Sequence, residues 1–367
     1  MAIDQSHRPV REPDATETPP RGTVKRQWRN RSAEAYRLLT ERPLSLYAAA
    51  FLRIGYGLLF LVLLVREFPY RHQIWGPEAP WTPAMALETS GLAERFRLLT
   101  LSDSRLYFEA VYVVAFVLAV LFMLGWRTRA VSIVFAIVVG SFHARNLPIS
   151  NAGDKLLYLM VVYLAFTACG RRWSLDARRL RRRPVRNRGD ESRPATEDPR
   201  SIRAQVRVLR RFTVTVLHNC AMLVMMAQMC IVYGAAGLYK VQGEAWSDGT
   251  ALAYSLDLQS FQVWPALSQF VDSQPLVIAV ATYLTVLAQV AFPFSLFSKL
   301  KYVVLAILCG MHLGIGVLMG LPFFSSVMIL ADAVFLPDRF FRSLPRIWHR
   351  VRHPRRRGAG APALNMS

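Results

Sequence analysis

The sequence lacks most of the features that announce a particular chemistry. Its four cysteines, Cys169, Cys220, Cys230 and Cys309, lie in or beside apolar runs without metal-ligand spacing. Neither a disulfide framework nor a zinc or other metal site is therefore expected. No G-x-S-x-G, H-E-x-x-H, P-loop or dinucleotide-binding fingerprint occurs, and the seven histidines are scattered, which removes the signatures of the common hydrolases and nucleotide-dependent enzymes. The first forty residues contain no hydrophobic core before a small-residue cleavage site, so no cleaved leader is predicted. Acidic residues number 24 against 45 basic ones, and lysine is scarce beside arginine. The abundance of Ala, Arg and Pro is the composition of a GC-rich bacterial genome.

What the sequence has is apolar length. The 367 residues are 53% hydrophobic, with a mean hydropathy of +0.25. The excess is gathered in blocks of the roughly 20 residues that a bilayer crossing needs. This predicts an all-α, polytopic membrane bundle of eight spans, near Leu44–Val65, Arg105–Leu124, Ala130–Asn146, Asp154–Cys169, Thr213–Tyr239, Leu276–Phe294, Val303–Met319 and Phe323–Leu336. Trp75 and Trp81, between the first two, are expected at the bilayer interface. Residues 1–43 read as a disordered basic tail, 44–337 as the transmembrane domain, and 338–367 as a second basic tail.

The net charge of +21 is concentrated in the two tails and in Arg171–Arg211, all flanking apolar segments. That placement speaks for membrane topology rather than for nucleic-acid binding. With eight spans, both termini and the basic loops fall on the cytoplasmic side of a bacterial inner membrane. Val241–Pro275, which has acidic residues and no lysine or arginine, falls outside. The "WSLDARR" start of the long basic loop is expected to form a surface helix, and its centre a solvated linker.

Ionisable groups inside a membrane span are costly, so each needs a partner or a task. Arg53, His218, His312 and Asp332 are such groups, with Gln228 as an uncharged companion. Arg53, Gln228 and Asp332 are assigned structural roles, Arg53 and Asp332 as an ion pair. Lys240, in "AGLYKVQGEAWSDGTAL", supports two readings. It lies 27 residues beyond Thr213, about 40 Å along a straight helix against a hydrocarbon core of about 30 Å, the position of a snorkelling surface anchor. Alternatively, Arg145, Asn146, Asn151, Asp154 and Lys155, around the turn between spans three and four, converge with Lys240, Trp246, Asp248 and His312 on one outward-facing pocket. Gly234, Ala235, Ala236 and Gly237 would let a neighbouring helix approach closely there.

The stretches "FLRIGYGLL", "NAGDKLLYLMVVYLAFTACGRRWSLDA", "QMCIVYGAAGLYKVQGEAWSDGTAL" and "MHLGIGVLMGLPFFSSVMILADAVFL" resemble the HTTM (horizontally transferred transmembrane) family. That family is related to the membrane domain of vitamin K-dependent gamma-carboxylase, and the resemblance spans residues 44–337. It implies that Lys240 matches the lysine that deprotonates a reduced, vitamin K-like quinone. Oxygenation of that quinone then yields the strong base that takes a proton from a peptide glutamate, which captures carbon dioxide. A histidine used by the carboxylase near the start of span four is replaced here by Gly153. The resemblance thus implies action on a lipid-soluble quinone or a secreted peptide. Shorter bacterial relatives leave a second expectation open: a non-enzymatic membrane partner in the maturation, export or immunity of a secreted peptide.

Overall fold

The computed structural model describes residues 33–34, 36–89, 96–145, 147–182 and 201–343. Both terminal tails, apart from a few residues, and the expected linker in the centre of the basic loop lie outside the described residues, as does Asn146. Every regular element among the described residues is helical. Eight longer helices are α1 (Leu46–Arg66), α2 (Arg105–Leu124), α3 (Thr128–Arg145), α4 (Ala152–Ala165), α5 (Ile202–Val241), α6 (Pro275–Ser295), α7 (Leu300–Leu318) and α8 (Pro322–Asp332).

Six of them, α1, α2, α3, α5, α6 and α7, are long and apolar enough to cross a membrane. Of the eight expected spans, the fourth and eighth are the short helices α4 and α8. Their 14 and 11 residues reach about 21 and 17 Å, short of a core of about 30 Å. α4 stops where the Thr167 hydroxyl donates to Leu164 O and the chain turns into the 3-10 segment Cys169–Arg171. α8 gives way to the 3-10 segment Ala333–Phe335. α8 packs on α1, α4, α5 and α7, and irregular backbone at membrane depth is tolerated where protein covers it.

Outward faces carry exposed Leu106 and Val113 on α2, and Leu276, Leu287 and Phe294 on α6. Soluble proteins rarely expose apolar surface on this scale, and a bilayer covers it. Inside, Phe60 meets Phe135 and Phe142 edge-on, and Phe122 stacks on Phe135 with centroids 4.5 Å apart. Trp75 is buried against Phe142 and Tyr112.

Arg171–Arg211 is not one loop. Its start contains the expected short helix, Leu175–Arg182, and its last ten residues belong to the 40-residue α5, about 60 Å long. The helical pattern of "IRAQVRVLRRF" was hidden by its arginines. The short helix is tied to the bundle through Asp176, whose carboxylate accepts from the backbone N–H groups of Arg127 and Thr128 and from the Thr128 hydroxyl. An anion at the first turn of α3 complements the helix dipole. Burial works to raise the Asp176 carboxyl pKa, but these hydrogen bonds and nearby Arg179 outweigh it and hold the group below its ordinary value.

Candidate functional site

The expected Arg53–Asp332 ion pair does not form. Arg53 is fully buried and donates to Phe122 O and Met123 O at 2.5 Å, and to Trp173 O at 2.7 Å. These first two carbonyls belong to the last turn of α2, where helical carbonyls lack internal partners and carry the negative end of the dipole. α2 ends there in Gly125, with φ +71°. Arg145 behaves alike: it is buried at the end of α3 and donates to Gly76 O at 3.0 Å and to Trp81 O. Each arginine gives its Nη groups to backbone carbonyls rather than to a carboxylate, and its buried Nε has no partner among the described residues.

Asn151 and Asp154 form the capping box of α4. The Asn151 side chain accepts from Gly153 N and Asp154 N, and the Asp154 carboxylate accepts from Asn151 N at 2.8 Å. Both also line a cavity of about 260 Å³ with Arg66, His143 and Phe324. Lys155 is exposed. Neither Lys240, Trp246 nor Asp248 lines this cavity. The pocket read from the sequence therefore divides into two groups, the α4 capping region and the surroundings of Lys240. Gly153 cannot be exchanged for a larger residue in place, because a Cβ there would lie 2.9 Å from Asn151 Oδ1 and 3.1 Å from Phe324 Cα.

The packing of α5 on α6 fixes the level of Lys240 relative to its neighbours. α5 and α6 run antiparallel in close contact, with Gly234 opposite Pro293 and Gly237 against the backbone of Val290. Only a residue without a side chain permits that approach at Gly237, where a Cβ would stand 2.9 Å from Val290 N. This register sets Lys240 level with Leu287, twelve residues or about 18 Å from the first residue of α6. Lys240 lies beside the middle of α6, not beside its first turn.

The chain then folds back along the first half of α6. Tyr283 donates its hydroxyl proton to Ser247 O at 2.9 Å, and Leu252 N donates to Thr282 Oγ1 at 3.4 Å. Val263 packs on Gly320 in the α7–α8 turn. The segment between α5 and α6, with short helices Glu244–Ser247, Ala251–Asp257 and Pro265–Asp272, thus roofs the end of α5. Trp246 hangs from this roof, and Lys240 Nζ lies 5.0 Å from the centre of its ring. Asp248 is exposed and points to no described cation. Lys240 is half-buried and forms no ion pair with a described carboxylate.

Beneath Lys240 lies a line of buried polar groups that the sequence reading did not join. The Tyr233 hydroxyl is 2.9 and 3.1 Å from the two carboxyl oxygens of Asp332 and 3.2 Å from His312 Nε2. Tyr233, His312 and Asp332 are 1%, 2% and 6% exposed. The His312 ring meets Phe324, which lines the cavity described above, at 5.7 Å. The signal for Tyr233 was present in the sequence: seven residues before Lys240 is two helical turns, on the same face.

Other intramembrane polar residues join helices to one another or to connecting segments. Gln228 accepts from the Tyr163 hydroxyl at 3.4 Å, joining α5 to α4. His218 accepts from Ala168 N at Nδ1, which leaves Nε2 to donate to Leu44 O at 2.6 Å. Asn219, which the sequence reading passed over, holds Leu38 O, Leu39 O, Arg42 O and Leu44 N. Also missed was the cluster in which Glu109 receives Arg71 and His72, both at 2.7 Å. Among the described residues no three His, Cys, Asp or Glu side chains gather as a metal site would require. No family model matches the chain, and neither a curated protein nor a solved structure matches it.

Proposed function

We propose that this is an HTTM-type bacterial inner-membrane protein that acts on a lipid-soluble quinone or a secreted peptide, with Lys240 as the base. The observation that carries the reading is the setting of Lys240. It stands beside the middle of an apolar helix, under a roof, on the face of Trp246, without an ion pair. A surface anchor would reach water and headgroup phosphates. A base needs a site where its amine can lose and regain a proton beside an apolar substrate.

In this reading all eight helices cross or line the membrane, α4 and α8 as short inner elements. Both termini and the arginine-rich stretch lie in the cytoplasm, following the charge of the connecting segments. The roof and the turn that carries Asn151 lie outside. A hydroquinone entering between the helices would present its hydroxyl to Lys240, and the amine would take that proton. The resemblance of "AGLYKVQGEAWSDGTAL" to the carboxylase-related stretch supports this assignment; Gly153, tightly packed where the carboxylase has a histidine, departs from it.

A second reading is a non-enzymatic partner for a secreted peptide. It is favoured by the roof's exposed Tyr254, Val263, Trp264 and Phe270, a surface suited to an apolar peptide or to the bilayer interface. Mass spectrometry of peptides secreted by strains with and without the gene separates the two. Gene-dependent addition of carbon dioxide to glutamate, or another gene-dependent covalent change, supports the enzyme. Gene-dependent secretion of chemically unchanged peptide supports the partner.

A further inference from the structure

The line from Asp332 to His312 does more than satisfy buried groups. A carboxyl group held only to close a structural gap is ordinarily capped by backbone N–H groups or by a cation, as Asp154 and Asp176 are here. Asp332 has neither. Both of its oxygens face one phenol hydroxyl, and that hydroxyl faces an imidazole nitrogen. Tyrosine has a single hydroxyl proton, so it can serve Asp332 or His312 but not both at once. One of its two neighbours must donate to it.

The other imidazole nitrogen, His312 Nδ1, is buried and has no protein partner. Nearby, Gln289 Nε2 meets Met311 Sδ at 3.6 Å while Gln289 Oε1 is also buried and unpartnered. Gln289 adjoins Val290, which packs on Gly237. These contacts set His312 at nearly the depth of Lys240, with Tyr233 about 10 Å deeper along α5. Two buried polar atoms without partners, on α6 and α7, therefore lie at the level of Lys240.

We propose that Asp332, Tyr233 and His312 form a proton relay within the bundle, with Asp332 as the proton store and His312 Nδ1 as the outlet toward the Lys240 site. In the forward step the Asp332 carboxylic acid donates to Tyr233 Oη as the Tyr233 proton passes to His312 Nε2. The Nδ1 proton leaves to a basic group at the Lys240 level. Asp332 loses one O–H bond and becomes a carboxylate. Tyr233 keeps one O–H bond, His312 exchanges one N–H for the other, and the acceptor gains one proton. Reversal reloads Asp332.

The titratable groups facing this line are Tyr56 on α1, Tyr233 and Lys240 on α5, and Cys309 and His312 on α7. α6 contributes Phe292, which meets the Tyr233 ring edge-on with centroids 4.9 Å apart, and no charge. Arg53 is engaged with carbonyls and does not neutralise Asp332. The relay rests on the Lys240 reading only for the identity of its acceptor. Proton exchange at Asp332 is measurable whether or not Lys240 is a base.

The test is difference infrared spectroscopy of the full chain in lipid nanodiscs. A carboxylic-acid carbonyl band absent from Asp332→Asn identifies the stored proton, and its isotope shift in deuterated buffer times its exchange. Tyr233→Phe keeps the ring on Phe292 and should slow that exchange roughly a hundredfold, the low end of what one positioned proton carrier contributes. His312→Gln should do the same, because an amide bonds to Tyr233 but cannot take a proton at one atom and release another. It serves as the independent arm if Tyr233→Phe does not fold. Exchange as fast as wild type in a folded variant overturns the relay. So does the absence of any Asp332 acid band in the wild-type protein at every pH at which it stays folded.

Discussion

The buried arginines and the buried aspartate meet opposite kinds of partner. Arg53 and Arg145 donate only to backbone carbonyls at helix ends and in a folded connection. Among the described residues the Asp332 carboxyl is hydrogen-bonded only to the Tyr233 hydroxyl, which in turn meets His312, and both of these side chains can exchange protons. Arginine stays charged at any relevant pH, and its fork suits fixed carbonyl pairs. The first arrangement is a clamp, which has one state. The second has at least two states that differ by the place of a proton. Location sharpens the contrast: the arginines hold α1 to α2 and α3 to its neighbouring connection, while the aspartate line joins α5, α7 and α8 next to Lys240.

The largest effect should come from breaking a clamp. Arg53→Leu removes three hydrogen bonds from a buried guanidinium to backbone carbonyls and should cost about 3–5 kcal/mol, seen as lost folded yield and a lower melting temperature in detergent. Because Arg53 and Asp332 do not pair, Arg53→Leu combined with Asp332→Leu should be additive within about 0.5 kcal/mol. Mutual rescue would show that the two residues do pair and would erase the comparison. Asp332→Asn, by contrast, keeps an acceptor for Tyr233 and should cost only about 1 kcal/mol.

Gly125→Ala probes the same clamp from the backbone side. Its φ of +71° disfavours any side chain, and a Cβ would lie 2.5 Å from Ser174 Cβ and 2.8 Å from Arg53 Nη1. Melting should fall by the equivalent of about 1–3 kcal/mol. Gly314→Ala on α7, where a Cβ meets nothing within 4 Å, should leave stability unchanged or raise it by about 0.5–1 kcal/mol. A loss at Gly314 as large as at Gly125 would mean that the loss at Gly125 is not specific to the clamp.

The smallest effect concerns Asp176. Its folded-state pKa is depressed, so its contribution is present above the unfolded value of about 3.9 and is lost as pH falls through the folded value. Stability should therefore decline shallowly below about pH 4, and Asp176→Asn should flatten that decline. The carboxylate is only half-buried, so solvent screening keeps the effect small. An unchanged acid limb in Asp176→Asn would place the responsible carboxylates elsewhere.

Much of the fold was legible because apolar length is a one-dimensional property. The α2 boundaries agree with the sequence reading at both ends, and α1, α3 and α6 differ by only one or two residues. What failed were inferences that need two helices at once. A count along α5 alone does not contain the level of Lys240 beside the middle of α6, which Gly237 against Val290 sets. Arg53 and Asp332 looked like a pair because both are ionisable and lie in spans. Carbonyl partners of an arginine leave no mark in a sequence, and every residue has one. Tyr233 was overlooked because a tyrosine in an apolar run reads as packing until its hydroxyl is given neighbours.

The account's central claim is that the Lys240 end is built for proton transfer, while the arginine clamps only hold helices in place. Lys240→Arg tests it most directly, since arginine keeps the charge, the length and the contact with Trp246 but cannot give up its proton. The variant should reach the membrane at wild-type level with an unchanged melting temperature, and the gene-dependent change in secreted peptides should disappear. A folded Lys240→Arg protein that still produces that change would make Lys240 an anchor and contradict the claim.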